Sequence, residues 1–258
     1  MTIMSTIKNP MQMSGRRVLV TGASSGLGRA VAVLLSELDC KVVLCARDAA
    51  RLTETRQALA GDGHAVEVFD LGEIDTIPGW MKILAERHGA FDGLVHSAGV
   101  LTTKPLKLLS AADWDKAMRV NVVAGSALAK GFRQRGVCAA AGSIVYLSSV
   151  MGLVGQPGQS LYSATKGALV AMARSLALEL ARENIRVNCV APAVVMAGMS
   201  EQLKQNVSPE QFAQITATHP LGLGRAEDVA NAAVFLLADS SRWVTGTTLV
   251  VDGGYTAH

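Results

Sequence analysis

The sequence predicts an α/β fold: one domain built on a doubly wound, mostly or wholly parallel sheet of seven strands. Three observations carry that reading. Strand-like and helix-like segments alternate from Arg17 almost to the C-terminus. The strand-like runs are continuously apolar, as expected when helices cover both faces of a sheet. The chain has 258 residues, 50% hydrophobic and only 17% charged, which suits one large core and lies far from a disordered composition.

In chain order, "RVLVTG" (17–22) is a short β-rich run ending in glycine. "LGRAVAVLLSEL" (27–38) carries apolar residues at helical spacing. "KVVLCA" (41–46) is a second strand, followed by helical "AARLTETRQALA" (49–60) and the strand "HAVEVFD" (64–70). "IPGWMKILAERHG" (77–89) reads as a helix with Pro78 near its start. "FDGLVHSAG" (91–99), "GSIVYLSS" (142–149), "IRVNCVAP" (185–192) and "GTTLVVDGG" (246–254) are the remaining strands. Helical patterns at 111–134, about 160–181 and 226–238 separate them. No internal repeat, low-complexity segment or interdomain linker interrupts the series. Residues 1–14 read as a flexible N-terminal tail and 15–258 as the domain. The connection 193–225 is long, and long loops in compact domains usually serve binding, so it is the expected substrate loop.

Composition excludes several function classes. Net charge is +3, from 24 Lys+Arg against 21 Asp+Glu, and the basic residues are scattered. Nothing favours nucleic acid or an anionic membrane as partner. The four cysteines, Cys40, Cys45, Cys138 and Cys189, form no C-x-x-C pair, so no metal site is expected. Cys45 and Cys189 sit in apolar runs and read as buried free thiols. No apolar stretch is long enough to span a bilayer, and the N-terminus lacks the apolar core of a signal peptide. A soluble protein of the cytoplasm is expected.

"TGASSGLG" (21–28) joins the first strand to the first helix, with Gly22, Gly26 and Gly28 in G-x-x-x-G-x-G spacing. Phosphate must approach backbone closely, and a helix N-terminus offers free N–H groups and a positive dipole. The alternative is a strand–helix turn with no ligand. In this alternation of strands and helices, the turn points to a bound dinucleotide and a Rossmann-type sheet. NAD(H) would call for an acidic residue at the end of the second strand, where Ala46 stands, followed by Arg47. A planar guanidinium suits a 2′-phosphate, so NADP(H) is favoured over NAD(H). Against this, Asp48 could reach a ribose, and Arg47 could be solvated at a helix start.

"LYSATKG" (161–167) holds Tyr162, one of only three tyrosines, four residues before Lys166. Residues so spaced share a helix face. A free tyrosine titrates near pH about 10. A neighbouring lysine cation and an oxidised nicotinamide would lower that value and make the phenol a usable acid or base. Ser149 ends the fifth strand, and ligands of parallel sheets bind beyond the carboxyl ends of strands. Strand alternation turns its neighbour Ser148 the other way.

Taken together, these motifs resemble the short-chain dehydrogenase/reductase family. The matches are "TGASSGLG", "HSAG" (96–99), Asn121 in "RVNVV", Ser149, "YSATK" (162–166), "RVNCVAP" (186–192) and "VDGG" (251–254). They follow the family's order and cover residues 16–255. The resemblance implies that Tyr162 donates a proton to a carbonyl oxygen while Ser149 hydrogen-bonds it. Lys166 would tune Tyr162 and hold the nicotinamide ribose, and Asn121 would steady a water in a relay to Lys166. Asn121 could instead satisfy a bend inside its helix. The implied cofactor contacts run along Gly22, Ser24, Ser25, Gly26, Leu27, Gly28, Arg47, Asp70, Leu71, Ser97, Ala98, Gly99, Tyr162, Lys166, Pro192 and Val195. Asp70 would face the adenine, or merely cap a helix.

Three departures from the family pattern stand out. His96-Ser97 replaces its Asn-Asn, Ala193 follows Pro192 in place of glycine, and Ala197 stands where a threonine commonly anchors the carboxamide. His96 is expected to be structural.

Within the family the likeness runs to the 3-oxoacyl-acyl-carrier-protein reductase type. That implies a small carbonyl or alcohol substrate, possibly a carrier-protein or CoA thioester. A basic residue that docks the carrier aligns with Leu178, leaving Arg133 and Arg135 as substitutes or as solvated residues. Met151, Val154, Met196 and Met199 are expected beside the substrate. Small residues on 113–135 and 160–181 imply a homodimer or homotetramer, or else tight packing on the protomer's own sheet. Two other functions stay open: NADP-linked oxidation of another secondary alcohol (sugar, polyketide or steroid-like), and a non-catalytic NADP(H)-binding scaffold. "CAAAG" (138–142) has no explanation in the sequence.

Overall fold

The computed structural model describes residues 11–197 and 207–257. Seven strands form one sheet: β1 (Arg17–Thr21), β2 (Lys41–Ala46), β3 (Ala65–Val68), β4 (Phe91–His96), β5 (Cys138–Leu147), β6 (Ile185–Pro192) and β7 (Thr248–Val251). Their order is β3-β2-β1-β4-β5-β6-β7, and every neighbouring pair is parallel. Eight helices lie among the described residues: α1 (Gly26–Glu37), α2 (Ala49–Gln57), α3 (Ile77–His88), α4 (Ala111–Met118), α5 (Ala124–Phe132), α6 (Ser160–Leu180), α7 (Pro209–Ala217) and α8 (Ala226–Leu237).

Successive strand residues feed two separate cores. Leu19, Leu94, Ile144 and Val187 pack under α3, α5 and α6, with Met81, Phe132 and Leu169. Val18, Val20, Val95 and Val145 pack under α1 and α8, with Leu35 and Val234. This two-residue alternation, apolar on both sides, is why the strands read as unbroken apolar runs. Met13 joins the second core and is buried, and the Arg16 N–H donates to its carbonyl at 3.1 Å. Packing thus begins earlier than the expected end of the N-terminal tail at residue 14; residues 1–10 lie outside the described residues.

Two segments differ from expectation. The helix expected over 111–134 is interrupted by a π-helical turn, Arg119–Val123. Asn121 lies in that turn, fully buried, and its side chain bonds Val100 and Thr165. The extra residue of the π-turn lets one polar side chain point inwards without ending the helix. β5 starts at Cys138 and takes in "CAAAG". Cys138 pairs with Phe91 and Ser143 with Gly93, so five steps of β5 oppose two of β4. The surplus is a bulge, with Ala140 and Ala141 exposed. A Cβ at Gly142 would lie 2.6 Å from Cys138 Sγ, so that position requires glycine. The bulge occupies the amino end of the sheet. No described helix is long and apolar enough to cross a membrane.

At that amino end, Arg186 holds three carbonyls: Val244 at 3.2 Å, Leu237 at 3.5 Å and Ala238 at 3.4 Å. The last two close the C-terminus of α8, where a cation also meets the negative end of the helix dipole. Arg186→Ala is expected to lower stability in urea unfolding by about 2 kcal/mol. Turnover should be unchanged, because these contacts lie at the opposite edge from the cleft described next.

Candidate active site

β1 and β4 are neighbours, but the chain leaves them towards opposite sides of the sheet, which opens a crevice at their carboxyl ends. A cleft of about 570 Å³ occupies it. One wall is the glycine turn. Gly22 and Gly26 have φ of 66° and 54°, in the left-handed region. A Cβ on Gly22 would lie 2.7 Å from the Ala98 nitrogen, so the turn closes against Ser97-Ala98 only as glycine. Gly28 does not line the cleft. It packs against the Gly22 carbonyl, where a Cβ has no room, so it stands behind the turn that lines the cleft. Ser25, the N-cap of α1, makes no side-chain cap, and the first turn holds no acidic residue. The free N–H groups and positive end of α1 therefore face the cleft beside Ser24, Ser25, Gly26 and Leu27, a donor set that fits a pyrophosphate.

Past β2, the cleft wall is Ala46, Arg47, Asp48 and Arg51. The Arg47 side chain is 73% exposed and stands 4.0 Å from the Asp70 carboxylate. Asp48 accepts from the Arg51 N–H at 3.0 Å as the N-cap of α2, so one of its oxygens is already engaged. Asp70 accepts from Gly72 N–H at 2.8 Å and still borders the cleft with Leu71. Arg51 and Phe69 were not expected here. For Arg51 the signal was its place in the first turn of the helix that follows Arg47. Phe69 is stacked on Trp80, centroids 4.1 Å apart, and only the tertiary structure turns it to the cleft.

Ser149, Tyr162 and Lys166 meet at the other end. Ser149 follows β5. Its Oγ accepts from the Met151 N–H at 3.2 Å and donates to the Pro192 carbonyl at a long 3.4 Å. Ser148 turns away and donates to the Lys166 carbonyl at 2.9 Å. Tyr162 lies in the first turn of α6. One turn later Lys166 is buried, its Nζ donating to the Leu147 carbonyl at 2.7 Å and lying 5.5 Å from the Tyr162 ring centroid.

Protonation differs from the sequence expectation. Burial pushes Tyr162 up to about 12, offset only in part by its hydrogen bond with Ser149. Burial also pulls Lys166 down to about 8. Desolvation outweighs the lysine charge here, and that charge is directed at a carbonyl. The resting tyrosine is thus a loaded acid.

Asn121 does not line the cleft either. Its Oδ1 accepts from the Val100 N–H at 2.8 Å, and its Nδ2 donates to the Val100 carbonyl at 3.0 Å and Thr165 Oγ1 at 3.1 Å. It ties the loop after β4 to α6. His96 Nδ1 bonds Thr21 Oγ1 at 3.0 Å and joins β4 to β1. Burial, with the Lys166 charge second, pulls His96 down to about 4, so it is neutral.

Ser97, Ala98, Gly99, Val100 and Leu101 form the cleft edge after β4, and Pro192, Ala193, Val195 and Ala197 the edge after β6. Met151, Val154 and Met196 are not part of the lining, and Met199 lies outside the described residues. Arg133 is ion-paired with Glu183 at the amino end of the sheet, away from the cleft.

A family model described as enoyl-(acyl carrier protein) reductase matches residues 22–256. The 3-oxoacyl-[acyl-carrier-protein] reductase FabG of Thermotoga maritima is 32% identical over 255 residues, covering 95% of this chain and 99% of that one. The (2S)-[(R)-hydroxy(phenyl)methyl]succinyl-CoA dehydrogenase subunit BbsD of Thauera aromatica is 35% identical over 247 residues, covering 95% and 98%. A solved structure from Agrobacterium tumefaciens, described as a 2-deoxy-d-gluconate 3-dehydrogenase with bound NADP, superposes with a TM-score of 0.85. It is 32% identical and covers 97% of this chain and 100% of its own. From the motif order, the cleft and the family match together, the chain belongs to the short-chain dehydrogenase/reductase family of oxidoreductases.

Proposed function

We propose that the protein is an NADP(H)-dependent reductase that converts a carbonyl to a secondary alcohol, with 3-oxoacyl thioesters as the substrate class. The observation that carries this is the meeting of Tyr162, Ser149 and Lys166 in one cleft at the carboxyl edge of the sheet. When bound, the nicotinamide cofactor supplies a hydride to the carbonyl carbon. Tyr162 gives its phenolic proton to the carbonyl oxygen, and Ser149 donates a second hydrogen bond to it. Ser149 does so by turning its hydroxyl from the Pro192 carbonyl, 3.4 Å away, to the substrate oxygen. The Lys166 cation stabilises the phenolate left behind. Asn121 acts in this scheme by holding the loop and α6 in register.

NADP(H) is supported by two arginines at the β2 end and by Asp48 being engaged as a helix cap. The thioester class is supported by the two relatives whose names carry acyl thioesters and by apolar Val100 and Leu101 on the cleft edge. The sugar-dehydrogenase neighbour favours a second reading, oxidation of a polyol. A homodimer or homotetramer of the cytoplasm completes the proposal, supported by exposed Ser126 on α5 and Ala164 and Ala171 on α6.

Wild-type protein with NADPH and a short 3-oxoacyl thioester is expected to consume NADPH. Tyr162→Phe should lower turnover at least about a hundredfold with NADPH affinity kept; unchanged turnover would refute the assignment. Arg47→Ala should raise KM for NADPH about tenfold, the loss of one charge-assisted hydrogen bond, and leave KM for NADH unchanged. Lys166→Met should abolish turnover yet stabilise the cofactor-free protein by about 2 kcal/mol at pH 7. The sign follows from burial. Lys166 falls from 10.5 unfolded to about 8 folded, so the unfolded chain binds the extra proton between those values. Wild-type stability therefore rises across that window, and the gap to the mutant closes as pH rises through it. Melting temperatures at pH 7 and pH about 10 check this.

A further inference from the structure

We propose that His219 is a positioning residue that sets the backbone at the reaction end of the cleft. The inference rests on the reading of that cleft as a nicotinamide site. Ala197 offers no hydroxyl, so the polar groups available on the edge after β6 are backbone groups of residues 193–195. Their placement depends on a small set of bonds. The Gly224 N–H donates to the Val194 carbonyl at 3.1 Å, and the Met196 N–H donates to the Gly224 carbonyl at 2.8 Å. Val195 and Gly224 form an isolated parallel bridge. The Val194 N–H donates to His219 Nε2 at 3.4 Å. A side chain 25 positions away thus holds the residue between the cleft-lining Ala193 and Val195.

The site of His219 is built for this. His219 is 3% exposed. Nδ1 lies 2.9 Å from the Ile215 carbonyl, which can only accept, so Nδ1 carries the proton. Nε2 is then left as an acceptor, and the Val194 N–H can only donate. The two backbone groups together select one tautomer. The ring also stacks on Tyr255, centroids 4.9 Å apart and 28° between planes. Tyr255 lies in the C-terminal turn held by Asp252, which accepts from Gly254 N–H at 2.9 Å and from Thr256 N–H at 2.8 Å. His219 therefore joins α7, the segment that follows β6, and the C-terminal turn. Phe in its place would keep the stack and lose the acceptor; Gln would keep an acceptor and lose the stack.

The test compares His219→Phe and His219→Gln, with NADPH dissociation constants read by fluorescence titration and turnover read separately. His219→Phe is expected to raise the NADPH Kd about tenfold, and His219→Gln to restore it to within about threefold of wild type. Both should lower the melting temperature. A lowered melting temperature in both with Kd unmoved in either would make His219 merely structural and overturn the proposal. Should the Phe variant not fold, amide hydrogen exchange in the wild type decides: Val194 must exchange as slowly as Gly224, and fast exchange at Val194 alone overturns it. Wild type that binds NADPH but leaves the thioester unreduced would sink the substrate reading, while the Kd comparison would still decide His219.

Discussion

All seven strands run in one direction, and the rest of the molecule depends on that constraint. Parallel strands cannot be joined by hairpins, so each connection crosses over a face and deposits a helix there. Both faces are buried as a result, and the carboxyl ends of the strands collect along one edge. Gly22 follows β1, Arg47 follows β2, Asp70 follows β3, Gly99 follows β4, Ser149 follows β5 and Val195 follows β6. Residues scattered over most of the chain reach one cleft without any long-range design beyond strand direction. The amino edge, free of that task, carries the β5 bulge, the Arg133–Glu183 pair and the Arg186 clamp.

Tension between stability and chemistry concentrates in α6. Lys166 is a buried cation whose Nζ donates to the Leu147 carbonyl, and Tyr162 is a largely enclosed phenol held in its neutral form. Neither arrangement favours folding over an apolar replacement. Each leaves a group poised for a charge that arrives with ligands. Neighbouring polar groups are, in contrast, closely satisfied: Asn121 spends its amide on Val100 and Thr165, and Ser148 on the Lys166 carbonyl. The frame is rigid where it supports the acid and left unsaturated where the acid acts.

The departures from the family pattern have physical substitutes in the structure. His96 bonds Thr21 and so braces β4 against β1. Gly125 makes room for it: a Cβ there would lie 3.1 Å from His96 Cδ2. On the far side of the cleft, where Ala197 has no polar group, the backbone is held instead by Gly224 and His219.

The sequence by itself determined the alternation of elements, the parallel sheet, the glycine turn and the Ser149–Tyr162–Lys166 set. These rest on local patterns: period-two and helical spacing, a glycine demanded by a positive φ, and a four-residue interval on one helix. Only the tertiary structure decided the rest. Whether Lys166 or burial governs Tyr162 depends on how deeply α6 packs, which no spacing encodes. Gly28 and Asn121 match motif positions but sit behind the cleft wall, because a motif names neighbours in sequence and not the direction a side chain takes. Phe69 and His219 reach the cleft or its backbone through packing between elements far apart in the chain. The "CAAAG" bulge became intelligible only once β4 lay alongside, since register is a property of two strands and one strand cannot show it.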